Sequence, residues 1–396
     1  MTGGHSQRAH ALLSASGAER WLNCTPSARL EDERPNTSGK AAEEGTLAHE
    51  LAELLLKKEL KLVTSQEFEL ALGWIVGNDL YDAAMQDHCE NYVVFVMEKF
   101  AEAKTRSKDA QIFLEKKVDL AFLIPEGKGI IDTPIVSDGL LDVIDLKYGK
   151  GVAVTADENK QLKLYALGLL EEWDIMYDLH TIRLTIYQPR LDSVSSFEIK
   201  AAELKAWGEE YVRPRAVLAF KGEGEFSPGK HCQFCRVRAE CRANAEFNLQ
   251  IAKHDFKNPD LLEPEDIADI LTREKMFQSW LTSVTEFALD QAVNHSVKWP
   301  GFKLVEGRSN RKYADEEKVV VALVKAGFDS SNLYKPLEVL GITAMEKVVG
   351  KKQFDVLLSP LIVKPPGKPS LVPASDKRPE LNSLEMAKAD FAEEVD

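Results

Sequence analysis

The sequence contains no apolar run long enough to cross a membrane, so no transmembrane helix is expected. Its first residues, MTGGHSQRAH, lack the apolar stretch of a secretory signal, and a cytoplasmic location is the expectation that follows. Positive charge is also scarce. Lys and Arg number 50 against 64 Asp and Glu, giving a formal net charge of −14. That balance argues against a protein that coats nucleic acid through bulk positive charge. It leaves room for an enzyme whose site holds cations, because such a site is acidic and contacts with DNA can be confined to a local basic groove. Cysteine is sparse and odd in number, with five residues at positions 24, 89, 232, 235 and 241. An odd set in a cytoplasmic chain speaks against a disulfide framework. Three of the five crowd into ten residues, which suggests metal chemistry.

What is present suffices for a large core. The chain has 396 residues, 44% of them hydrophobic, which favours one large domain plus an accessory one. A short helix is expected through LLSASGAERWLNCTPSARL, ending near Cys24 and Pro26. In AAEEGTLAHELAELLLKKEL, Leu47, Leu51, Leu54 and Leu55 fall on one helical face, with Thr46 as the expected N-cap after Gly45. A further helical region is expected from about Gln66 to Lys104, with Cys89 inside it as a core residue. The pattern then turns to strands at QIFLEKKVDLAFL, GIIDTPIVS and GLLDVIDLKYG. ENKQLKLYALGLLEEW reads as an amphipathic helix, TIRLTIYQPR and SVSSFEIK as strands, and AAELKAWGEEYVRPRAVLAF as a helix. This order predicts an α/β fold, a three-layer α/β/α sandwich with a mixed central sheet. The expected division is a domain over residues 1–250 and a mostly helical accessory domain with an acidic, Pro-rich tail over 251–396. Within the latter, a strand is expected at FKLVEGR and helices near Pro264 to Asn294 and Asp315 to Ala326.

Asp132 and Asp145 fall on neighbouring expected strands, and Lys147 follows Asp145 by two. Residues i and i+2 of a strand share a face, so Asp145 and Lys147 project together while Ile144 and Leu146 point the other way. Charged groups at the end of an apolar strand are costly unless paired or metal-bound. They make either an ion pair or a site for a hard cation such as Mg²⁺ or Mn²⁺. In the second case the metal would activate a water and stabilise charge on a phosphate. Lys147 would orient or deprotonate that water, or balance the developing charge. His49 and Glu53 stand one turn apart on the GTLAHELAE helix, a spacing open to metal or to an ordinary helix face. Gln161 and Tyr165 are spaced the same way on the helix after the D-x-K strand. Cys232, Cys235 and Cys241 form C-x₂-C-x₅-C, a spacing used for zinc or an iron–sulfur cluster. Three ligands are one short of four. Candidates for the fourth are Cys24, Cys89 and His231, and Cys24 has the best loop setting. Arg183, Arg190, Arg213, Arg215, Arg236 and Arg238 are basic residues that could line a DNA path.

In this order the motifs resemble the RecB-like branch of the PD-(D/E)XK nucleases. They comprise an S-x-S segment before a Cys near Pro, a G-T-x-x-H helix, an Asp, D-x-K, Q-x-x-x-Y and a final C-x₂-C-x₅-C. The one-plus-three cysteine arrangement is similar to the iron–sulfur nucleases of the AddB and CRISPR-associated exonuclease type. DVIDLKYGKG and ENKQLKLYALG look closest to a phage and prophage family of such proteins. The resemblance covers residues 14 to about 245 and, more loosely, the tail. It implies His49, Asp132 and Asp145 as metal ligands, joined by the carbonyl of Leu146, with Lys147 as the catalytic lysine and Gln161 and Tyr165 in support. It adds Glu115 as a further site residue and makes Cys24, Cys232, Cys235 and Cys241 the ligands of a [4Fe–4S] cluster, with Zn²⁺ as the alternative. The implied activity is Mg²⁺- or Mn²⁺-dependent DNA hydrolysis, exonucleolytic, in phage recombination or replication. The implied partner is a phage single-strand DNA-binding or annealing protein. The competing readings are a catalytically silent DNA-binding or scaffold protein with the same fold, and a zinc-ribbon regulator whose D-x-K is accidental.

Overall fold

The structure, a computed structural model, describes residues 11–34, 39–250, 263–303 and 325. Two short helices come first, α1 (Ala18–Trp21) and α2 (Ser27–Asp32). Then follow three longer ones, α3 (Lys40–Glu59), α4 (Ser65–Val76) and α5 (Ala83–Arg106). Four strands lead to the site: β1 (Gln111–Ile112), β2 (Lys116–Asp119), β3 (Lys128–Ile131) and β4 (Thr133–Ser137). They are followed by β5 (Leu140–Leu146), α6 (Lys160–Tyr177), β6 (Thr181–Gln188) and β7 (Ser193–Lys200). Among the described residues four longer helices follow: α7 (Ala201–Trp207), α8 (Arg213–Lys221), α9 (Arg242–Leu249) and α10 (Pro264–Asn294).

The fold is α/β with a mixed sheet. Its strands run in the order β1-β4-β5-β6-β7, and β2 pairs separately with β3. β5 and β6 are parallel, with α6 as the crossover between them; the other pairs are antiparallel. β5 is buried along its whole length, as expected of a strand covered on both faces. Leu141 and Val143 pack into the cluster that contains α6, α1 and α7 residues. Ile144 and Leu146 pack into the cluster of α3, α4 and α5. Complete burial of each such side chain stabilises the fold by about 1.5–3 kcal/mol. Gly129 on β3 is required by packing, since a Cβ there would lie 2.7 Å from the Tyr165 ring of α6.

The structure corrects several expectations. Thr46 is not an N-cap. α3 begins at Lys40 with Gly39 as its cap, and the Thr46 hydroxyl donates to the Ala42 carbonyl inside the helix. The helical region expected from Gln66 to Lys104 is made of two helices. α4 ends at Gly77, and Asp82 caps α5 by accepting from the Met85 N–H. GIIDTPIVS is split at Asp132, with β3 and β4 belonging to different sheets. QIFLEKKVDLAFL divides into β1 and β2, with Glu115 between them at a left-handed φ of 47°. The helix expected from Ala201 is interrupted by a wider π turn at Gly208–Val212.

The chain separates into two units, Met1–Val297 and Lys298–Asp396. α10, expected in the accessory domain, lies in the first of them. Residues adjoining the expected boundary at 250, most of FKLVEGR, the helix from Asp315 (apart from residue 325) and the tail lie outside the described residues. Among the described residues, no helix is long and apolar enough to cross a membrane.

Candidate metal centre and cysteine pocket

β5 turns Asp145 and Leu146 to opposite sides of the sheet, and Lys147 follows its last residue. Asp145 is 2% exposed and faces α6, where the Gln161 amide donates to its Oδ1 over 3.5 Å. Its Oδ2 pairs with Lys147 Nζ at 2.8 Å, so the buried charge is compensated by the lysine. Lys147 Nζ also donates to Gln161 Oε1 over 3.2 Å, and the Gln161 amide donates to Tyr165 OH over 3.1 Å. Burial raises the Asp145 carboxyl above its ordinary range, opposed by Lys147 and reinforced by Asp132.

Asp132 sits where the chain passes from one sheet to the other. Its Oδ2 accepts the Leu146 backbone N–H at 2.8 Å and lies 3.3 Å from His49 Nδ1. Its own carbonyl accepts the Glu115 N–H at 2.9 Å. Burial alone would lower the His49 imidazole, but the charge and hydrogen bond of Asp132 dominate and bring it up to about 9. The same pairing holds Asp132 below its ordinary value despite burial. One ligand atom each from His49, Glu115 and Asp132 falls within 4.8 Å of the others, a group competent to hold a metal ion. Glu115 is thus drawn into the cluster, while Asp145 stands beside it with Lys147. Glu53 borders the same cavity but pairs with Lys57 at 2.8 Å. Leu146 contributes its backbone N–H here, and its side chain is core.

The cysteines are brought together from both ends of the core. Cys24, Cys232, Cys235 and Cys241 all line one cavity with His231. Among the described residues, no three of their sulfurs fall within 4.8 Å of one another. Burial pushes the Cys24 and Cys232 thiols up and takes Cys235 to about 12. Backbone N–H groups of the surrounding loops face these sulfurs, as Gly229 does toward Cys232 Sγ at 3.4 Å. His231 Nε2 donates to the Ser227 carbonyl at 2.8 Å. Cys89 lies elsewhere, buried in α5 with its thiol donating to the Ala48 carbonyl.

A family model described as "Protein of unknown function (DUF2800)" matches residues 10–379. The chain belongs to that family. Among solved structures, the one described as "Crystal structure of SSO0001" is 13% identical, with 57% of this chain and 96% of that chain covered, at a TM-score of 0.23. A likeness that weak carries no argument.

The arginines expected along a DNA path have internal partners. Arg183 binds Asp142 and Glu198, Arg190 binds Glu44 and covers the Tyr148 ring, and Arg213 binds Glu209. Arg215 stacks over Tyr211, Arg236 donates to the carbonyls of Glu31 and Arg34, and Arg238 donates to that of Gln233. Sequence reasoning missed Glu31. Its carboxylate accepts from Arg20 Nε and from the Arg236 N–H, both at 2.9 Å, tying α2 to the turn that follows Cys235. Thr25 adds a second tie by donating to the Glu223 carbonyl at 2.6 Å.

Proposed function

We propose that this protein is a divalent-metal-dependent DNA nuclease of the PD-(D/E)XK type, acting as an exonuclease. One observation carries the reading: at the carboxyl end of β5, the Asp145–Lys147 pair adjoins a metal-competent group of His49, Glu115 and Asp132. Donors of this kind fit a hard cation, since two are carboxylates and the third an imidazole.

His49, Glu115 and Asp132 would hold the ion, with Asp145 and the Leu146 carbonyl at its edge. When bound, Mg²⁺ or Mn²⁺ supplies a Lewis acid that stabilises charge on a phosphodiester. Lys147 is placed to orient a water or to balance charge on the phosphate. Gln161 fixes the position of the Lys147 ammonium group through the 3.2 Å bond and is itself held by Tyr165.

The cysteine cavity supports a [4Fe–4S] cluster in preference to zinc. Four thiols are the expected donor set for either. A tetrahedral zinc with bonds of about 2.3 Å needs sulfurs about 3.8 Å apart. The preference for the cluster over zinc rests on the one-plus-three spacing of the cysteines, which all line one cavity. The motif order extends the proposal to phage recombination or replication in the cytoplasm of a bacterial host, beside a single-strand DNA-binding or annealing protein.

The test is end-labelled single- and double-stranded linear DNA incubated with and without Mn²⁺. Cleavage that depends on the ion and disappears in Asp145→Ala is expected. Absence of cleavage on every DNA form would favour the scaffold reading. Protein purified without air should be brown; a colourless protein holding one zinc would overturn the iron–sulfur assignment alone.

A further inference from the structure

The chain leaving β5 does not go directly to α6. It forms a loop over residues 148–159 just beyond Lys147, at the carboxyl ends of the parallel strands β5 and β6. In open α/β sheets, ligands gather outside this edge. The loop is held from below by one side chain. Gln188, at the end of β6 and 1% exposed, donates to the carbonyls of Gly149 at 2.7 Å and Val152 at 2.9 Å. Its Oε1 accepts the Val154 N–H at 3.1 Å. Ser195 on β7 accepts the Ala156 N–H at 3.1 Å. The backbone around Lys150 is therefore fixed from inside the protein, while Gly149, Lys150, Gly151 and Val152 are all exposed.

Two glycines flank Lys150, and the fold requires neither. Neither has a φ in the left-handed region, and a Cβ built on either meets nothing within 4 Å. Glycine where conformation and packing do not demand it leaves bare backbone open to close approach from outside. Lys150 has no hydrogen-bond or ion-pair partner among the described residues, so its ammonium group is available. Bare backbone on both sides of an available cation, three residues from Lys147, matches a phosphodiester rather than a base edge.

The geometry points to the 149–152 loop as a backbone clamp for the substrate, with Lys150 binding a phosphate next to the one cleaved and Gln188 as the positioning residue that shapes the loop. The inference rests on the nuclease reading and deepens it.

The experiment measures binding and turnover separately. Binding is followed by anisotropy of fluorescein-labelled single- and double-stranded DNA with Ca²⁺ in place of Mg²⁺, over a range of salt. Turnover is measured with Mn²⁺. Lys150→Ala should weaken binding, reduce the slope of log affinity against log salt by about one, and raise KM several-fold with kcat unchanged. Gly151→Ala should keep the wild-type Tm or exceed it, yet raise KM. Gln188→Glu, which loses both donated bonds, should shift KM in the same direction as Lys150→Ala. If the wild type cuts DNA while Lys150→Ala and Gly151→Ala keep its KM and salt slope, the clamp is wrong. A Gly151→Ala protein with a lowered Tm would also overturn it, because the glycine would then be structural. If the wild type neither binds nor cuts DNA, the nuclease reading itself has failed.

Discussion

The Leu146 backbone N–H donates to Asp132 Oδ2 at 2.8 Å, so the end of the central strand and the carboxylate between the two sheets are locked to each other. Asp132 therefore has two separable duties, one as an acceptor and one as a charge. Asp132→Asn keeps an acceptor for the Leu146 N–H but gives up the charge that faces His49, so it should lose activity and fold less stably than wild type. Asp132→Ala leaves the N–H unpaired and should cost about 1–3 kcal/mol besides. Urea unfolding of both variants, beside a Mn²⁺-dependent cleavage assay, checks this. Equal stability of the two would show that the bond contributes nothing.

Lys147 neutralises a carboxylate that is otherwise buried. Lys147→Ala should lower metal-free stability by about 3–5 kcal/mol, the usual effect of stripping one partner from a buried pair. Activity should fall by about 10²–10⁴-fold if the lysine handles a proton or orients water. Added Mn²⁺ should raise the Tm of this variant more than that of wild type, since a cation can replace the lost charge. Calorimetry with and without the ion reads the difference.

Glu31 holds the cysteine segment from the far end of the chain. Glu31→Ala should destabilise the protein by about 1–3 kcal/mol through the orphaned Arg236 N–H. It should also speed loss of any thiolate-bound group, seen as faster bleaching in air, whereas Cys89→Ala should leave that rate unchanged. Equal bleaching of Glu31→Ala and wild type would separate Glu31 from the pocket.

Asp142 gives a pH dependence outside the metal centre. It is 2% exposed, and burial raises its carboxyl despite Arg183 and Arg106 nearby. A carboxyl whose folded value exceeds its unfolded one binds more protons when folded, so its contribution is greatest at low pH and is lost as pH rises through the folded value. The stability of wild type minus that of Asp142→Asn should therefore grow as pH falls from neutral through the mildly acidic range. Chemical unfolding at a series of pH values measures it, and a difference that shrinks on acidification would contradict the assignment.

The parts legible in the sequence were those governed by nearest neighbours along the chain. β5, β6 and β7 show their period, and Asp145, Lys147, Gln161 and Tyr165 meet because i+2 and i+4 spacings survive folding. The break at Asp132 was not legible, because either half of GIIDTPIVS is a good strand and only pairing decides which sheet each joins. Thr46 looked like a cap because Gly45 precedes it, but a glycine inside α3 is tolerated and the helix extends past it. Glu31 and Gln188 left no local trace. Each acts across space, Glu31 on a residue 205 positions away and Gln188 on a loop 34 to 39 positions back. The arginines near the core read as DNA contacts only until their carboxylate and carbonyl partners were in place.

The ties among Thr25 and Glu223, Arg29 and the Phe220 carbonyl, and Glu31 and Arg236 join residues about two hundred positions apart. On the ribosome, the segment made first must therefore wait for its partners. At synthesis rates of about 5–20 residues per second that wait is on the order of ten seconds or more. Leu13, Trp21 and Leu22, each almost fully buried in the finished protein, share a core with strand and α6 residues from Val118 onward, and that core is complete only when Ala216 and Ala219 are made. The amino-terminal helices are born early and dock late, and the nascent chain has an apolar end to protect until α6 and the helices after it emerge.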